Sequence, residues 1–220
     1  MFPEPAVIAV FLPAALALNI TPGSDFLYCL GQGAQGGRSC GIAASLGITT
    51  GSLIHCALAA AGLAAMLSLY PLAFEIIRWA GVAYLLWLGL RSLIEQPAVI
   101  RSGDGATAAG AFDNHHTTDP RQVYRAWRDG VVVNLLNPKV AIFILAFIPQ
   151  FVDPSRGRPV LQFLFFCLLF NITGTTINAL VGVFGARIGA FLRQSPSLSR
   201  FLQVLSAIIF LILALRLALG

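Results

Sequence analysis

The stretch Asn19-Ile20-Thr21-Pro22-Gly23-Ser24-Asp25 sets a proline, a glycine and a carboxylate inside an apolar run long enough to cross a membrane. Proline lacks a backbone donor and clashes with the carbonyl one turn earlier, so a helix must break there. In lipid, a broken helix and a charge are both costly. They persist where they line a polar cavity or meet another helix. The pattern recurs about half a chain later in Asn134-Leu135-Leu136-Asn137-Pro138-Lys139, now with a lysine beside the break. Two breaks, each with a charge, mark a candidate transport site in a membrane protein.

Composition points to the same class. Of 220 residues, 57% are hydrophobic and only 10% charged, against about 25% charged in a soluble domain. Mean hydropathy is +0.82. A span takes roughly 20 apolar residues, and six apolar helices account for most of the chain. They run from Pro5 to Leu30 (broken at Pro22), Gly41 to Ser68, Leu72 to Leu93, Arg128 to Phe151 (broken at Pro138), Val160 to Phe184 and Leu198 to Leu219. The expected fold is an all-α integral membrane protein forming one transporter domain over residues 1–220. Residues 1–94 would form a first three-helix unit, 95–127 a polar loop and 128–220 a second unit. Met1-Phe2-Pro3-Glu4 lacks the basic region of a cleavable signal, so the first apolar stretch is expected to be retained.

The net charge of +5 comes mostly from loop arginines. Arg38, Arg101, Arg121, Arg125, Arg187, Arg193 and Arg200 fall on one side of a six-helix path, and Arg156 and Arg158 on the other. The positive-inside rule then puts the long loop in the cytoplasm and both termini outside. No basic and aromatic stripe suited to nucleic acid is present, and no phosphate-binding GxxxxGK[ST] loop. Cys29, Cys40, Cys56 and Cys167 form no CxxC pair and read as small hydrophobes. His115-His116 has no further ligand cluster near it, so neither a metal nor a cofactor is expected.

A shift of 116 residues lays Pro22 on Pro138, the second helix on the fifth and His55 on Asn171. Each half would hold three helices. An odd number of spans inserts the second half upside down, giving two inverted repeats with helices 1 and 4 broken.

Asp25, at the start of a new half-helix, reads either as a cap or as an ammonium ligand and proton-coupling group. His55 reads either as a proton shuttle or as a satisfied interior residue. Lys139, the chain's one lysine, either snorkels to a headgroup or partners Asp25 or a substrate carboxylate. Asn19, Thr21, Pro22, Gly23, Asn134, Asn137, Pro138 and Lys139 are the candidate substrate-binding residues around the breaks. Asn171 and Asn178 read as interhelical hydrogen-bonding amides. Gly47 and Gly51 read as a close-packing GxxxG pair.

Thr21-Pro22-Gly23-Ser24-Asp25, Gln35-Gly36-Gly37-Arg38, the run Trp79 to Gly89, Asn134 to Lys139 and Pro149-Gln150-Phe151 together resemble the LysE/RhtB-type amino acid exporters. The resemblance implies a bacterial inner-membrane exporter of amino acids or related metabolites, driven by the proton gradient and often a homodimer. Ser24 stands where the family usually has a second proline, and Ser52 where many members carry an acid. Two other classes remain as alternatives. A membrane thiol-redox protein would want matched cysteines, and the second broken helix has none. An exporter of a cation or drug is the other.

Overall fold

Proline starts most of these helices. Its fixed φ suits the first helical position, where the missing N–H needs no partner. The computed structural model describes residues 3–69, 71–94 and 119–219. Among them are α1 (Pro5–Ile20), α2 (Ser24–Leu69), α3 (Pro71–Ile94), α4 (Pro120–Leu135), α5 (Pro138–Ile142), α6 (Pro159–Val183), α7 (Gly185–Gln194) and α8 (Pro196–Leu219).

The chain is all-helical here and carries four segments long and apolar enough to span a membrane: Ser24–Gly62, Glu75–Ile94, Pro159–Val183 and Ser197–Leu219. The pair Pro120–Leu135 and Pro138–Phe151 passes the same test jointly, bent by 54°. Helix α1 is apolar but has 16 residues, about 24 Å at 1.5 Å per residue.

Three local outcomes differ from the sequence reading. First, the second helix does not wait for Gly41. Helix α2 starts at Ser24, and only Gly37, with φ +74° and ψ −174°, leaves helical geometry. A single glycine, free to take positive φ, replaces the expected loop. Second, residues 120–127 are helical rather than part of the loop. Asp119 accepts a bond from the Arg121 amide at 2.9 Å, Pro120 opens the helix, and Val123 and Ala126 pack on Cys40 and Ala43. Residues 95–118, with His115 and His116, lie outside the described residues. Third, the stretch before the last helix forms α7, whose Ile188 and Leu192 pack on Phe26, Cys29 and Leu30 while Arg187 is exposed.

After α5 the chain passes through a π-helical turn (Phe143–Phe147) and a 3₁₀ turn (Ile148–Phe151). These turns feed an aromatic core. Phe11 of α1 lies 4.8 Å from Phe166 of α6, and Phe143 lies 4.9 Å from Phe170, centroid to centroid. Leu85 of α3 and Phe210, Leu213 and Leu217 of α8 close this cluster. Asp153 then caps a short turn, accepting from the Ser155 hydroxyl at 2.6 Å and amide at 2.9 Å. Those bonds, with Arg156 beside them, hold its carboxyl below the usual range. Arg156 also pairs with Glu4.

Helix α2 is the axis of the packing. On one side Gly47 meets α4 at Trp127, and a Cβ on Gly130 would sit 2.7 Å from the Ala44 carbonyl oxygen. On the other side a Cβ on Gly182 would sit 2.6 Å from the Gly41 carbonyl oxygen. Backbone thus touches backbone on both flanks, the close approach that small residues permit between membrane helices.

Candidate functional site

A helix that stops inside the molecule leaves carbonyls without partners. At the first break, the Thr21 hydroxyl donates to Ala17 O at 2.7 Å. The carbonyls of Leu18 and Thr21 instead receive Lys139 Nζ, at 3.1 and 3.3 Å. Lys139 stands in the first turn of α5, a poor place for a cation. Its side chain reaches back to the negative end of α1, where the macrodipole favours it. Gly23 leaves the passage open, since a Cβ there would lie 3.0 Å from Nζ. The lysine therefore ties one break to the other instead of reaching for a headgroup. At the second break Asn137 caps α5, accepting from the Lys139 amide at 3.0 Å.

Removing that tie strands two carbonyls at a helix end, at about 1–3 kcal/mol for buried polar groups. Lys139→Met is therefore expected to lower the melting temperature of the detergent-solubilised protein by about 5 °C. Lys139→Arg should recover part of the loss. An unchanged melting curve for Lys139→Met would remove the strap from the account.

Asp25 occupies the first turn of α2, where a carboxylate is favoured. It is 8% exposed. Its Oδ2 accepts from Asn134 Nδ2 at 2.8 Å, while Oδ1 is buried with no partner among the described residues. The Asn134 main-chain carbonyl lies 3.3 Å from His55 Nε2. Asn134 thus joins the two proton-coupling candidates. Gly51 makes room for it, since a Cβ there would fall 2.9 Å from the Asn134 Cβ.

Asp25 and Asn134 border a cleft of about 240 Å³, its open mouth included. Asn19, Asp25, Thr49 and Ser52 line it from α1 and α2; Asn134, Asn171, Thr175 and Asn178 line it from α4 and α6. Ile48, Val140 and Phe170 supply apolar wall. Much of that space is open mouth, and the enclosed part is water-sized, so the walls must part to admit a solute. Several wall residues are locked in place. Asn19 donates to Thr173 Oγ1 at 3.0 Å and Phe170 O at 3.3 Å. The Thr49 and Thr175 hydroxyls are 2.6 Å apart, and Asn171 donates to Cys167 O at 2.9 Å.

Of the candidates read from sequence, Asn19, Asp25 and Asn134 line the cleft, and His55 is one hydrogen bond away. Thr21, Pro22, Gly23, Asn137, Pro138 and Lys139 build the layer of the breaks and are not among its lining residues. Thr49 and Thr175 carry no mark in the motif reading, Ser52 is marked only as standing where many family members carry an acid, and Asn171 and Asn178 only as interhelical amides. A signal existed: Asn171, Thr175 and Asn178 recur at helical spacing, as do Ser45, Thr49 and Ser52, so each set makes a polar stripe on one face. Cys56 and Cys167 also turn out to be neighbours, with the Asn171 amide 3.6 Å from Cys56 Sγ. Among the described residues no three His, Cys, Asp or Glu side chains cluster as a metal site would need.

The LysE type translocator family model matches residues 16–220. An uncharacterized membrane protein of Vibrio cholerae is 30% identical over 195 residues, 86% of each chain. A homoserine/homoserine lactone efflux protein of Salmonella typhimurium is 28% identical over 205 residues, 93% of each chain. A leucine efflux protein of Klebsiella pneumoniae is 26% identical over 220 residues, 99% of this chain and 98% of that one. No solved structure matches the chain.

Proposed function

The chain belongs to the LysE type translocator family, and from that premise we propose that it exports amino acids or related small metabolites by proton antiport through the cleft between its breaks. The observation that carries this is the buried Asp25 carboxylate on the cleft wall, tied through Asn134 to His55. A carboxylate with one oxygen free can hold either a proton or a cationic solute. Loading would occur with Asp25 deprotonated on the cytoplasmic side, and protonation from outside would expel the solute.

Alternating access would come from two inverted three-helix repeats. Helices α1 and α4 each have 16 residues and each runs into a break, which supports the repeat. In the proposed topology both termini are periplasmic and the long loop faces the cytoplasm of a bacterial cell. The homodimer implied by the family resemblance belongs to the same proposal. Asn19, Asn134 and the residues of the two breaks would shape the substrate path.

The test is export of labelled leucine and homoserine from overexpressing cells. Faster export than vector-only cells, lost on adding a protonophore, is the expected result. Export equal to the vector control for every amino acid tried would overturn the reading.

A further inference from the structure

We infer that the cleft wall formed by Asp25, Asn134 and Ser52 is a receptor for a primary ammonium group. The inference rests on the exporter reading and names the part of the solute that this wall grips. Among the described residues, three buried oxygens there have no hydrogen-bond partner: Asp25 Oδ1, Asn134 Oδ1 and Ser52 Oγ. Their residues are 8%, 1% and 4% exposed and all line the cleft. Buried polar atoms are nearly always paired in native proteins, so three orphans on one wall point to a partner that arrives with the solute.

The wall's chemistry selects that partner. Asn134 donates its amide nitrogen to Asp25, and a carboxylate can only accept. The amide orientation is thereby fixed, and the atom left over is an acceptor. Asp25 contributes a second acceptor and the negative charge. Ser52, one residue past the Gly51 that lets Asn134 approach, contributes a hydroxyl oxygen. The nearby cation does not compete, because Lys139 is engaged with the Leu18 and Thr21 carbonyls. A primary ammonium carries one positive charge and three N–H donors, matching three acceptors one for one. A divalent cation would want six or more oxygens. A carboxylate would meet only acceptors. Across the cleft, Asn178 lines the α6 side and offers an amide to the solute's other polar end. Compounds whose amine is acylated or replaced by hydroxyl lose donors and charge, leaving these oxygens buried and unpaired.

The experiment uses purified full-length protein in liposomes, with counterflow of leucine and homoserine compared with their N-acetyl and 2-hydroxy analogues. Wild type is expected to prefer the free amines by at least tenfold. Their addition, and not that of the analogues, should raise its melting temperature in detergent. Ser52→Ala should weaken the free amines severalfold and the analogues less, so that selectivity narrows. Ser52→Thr, which keeps the hydroxyl, should keep selectivity. Equal counterflow of amines and analogues by wild type would overturn the proposal while leaving the exporter reading intact. So would a Ser52→Ala loss shared equally by both sets. If wild type moves neither set, the exporter reading falls and the ammonium receptor with it.

Discussion

Asp25→Asn is expected to leave the chain folded and to reduce proton-driven export to the level of cells without the protein. The amide is nearly isosteric with the carboxylate and still offers an oxygen to Asn134 Nδ2, now 2.8 Å from Oδ2. The charge and the titrating proton are lost. Hydrogen bonds to a charged group contribute about 1.5–3 kcal/mol, so a cationic solute should bind roughly 10- to 150-fold more weakly. Without a titratable carboxylate, protons would also lose their means of expelling the solute. Asp25→Glu keeps the acid but moves it one methylene from Asn134, and should retain a fraction of activity. The measurement is labelled amino acid efflux under an imposed pH gradient, normalised to folded protein by gel filtration. Wild-type efflux by Asp25→Asn under that gradient would exclude Asp25 from coupling.

Gly182→Val should prevent the folded protein from accumulating at all. Adding atoms to a packed interior usually costs about 1–3 kcal/mol, because side chains can adjust. Here the obstacle is main chain: a Cβ on Gly182 would lie 2.6 Å from Gly41 O and 2.7 Å from Gly41 C. Helices α2 and α6 would have to part, breaking the Ser45 bond to Thr175 O at 3.0 Å and the Thr49–Thr175 bond. The control is Gly31→Ala, where a Cβ meets nothing within 4 Å. That change replaces a poor helix former by a good one and should be neutral or mildly stabilising. Fluorescence-detected gel filtration reads both. A monodisperse Gly182→Val peak at wild-type yield would contradict the backbone contact.

The contrast between those glycines shows what the amino-acid sequence discloses and what it hides. Gly47 and Gly51 are visible as a GxxxG pair, but nothing in their spacing says that α4 is the partner, or that Gly182 answers Gly41 from the other flank. Helix ends set by hydropathy are legible: Leu72 to Leu93 was expected for α3, and the helix is Pro71–Ile94. Helices α4 and α7 were hidden in part because their arginines depress hydropathy while their apolar residues keep helical spacing. At the site, Asp25, Asn19 and Asn134 stand out as strongly polar groups beside a break. Ser52 stands out only against the family, where many members carry an acid; by itself it reads as ordinary, because serine and threonine in membrane helices bond the carbonyl one turn back. Thr49 and Thr176 do so at 2.9 and 2.8 Å. Only coordinates reveal that the Ser52 oxygen has no such partner.

The lysine that ties the breaks together is also the chain's one side-chain amine. Acylating reagents attack a free, deprotonated amine, and this ammonium is held by two main-chain carbonyls. Its labelling rate would then follow how often α1 lets go of α5. Apart from the chain's amino terminus, a single reactive position would clock the separation of the two halves in unmodified protein, with no introduced probe.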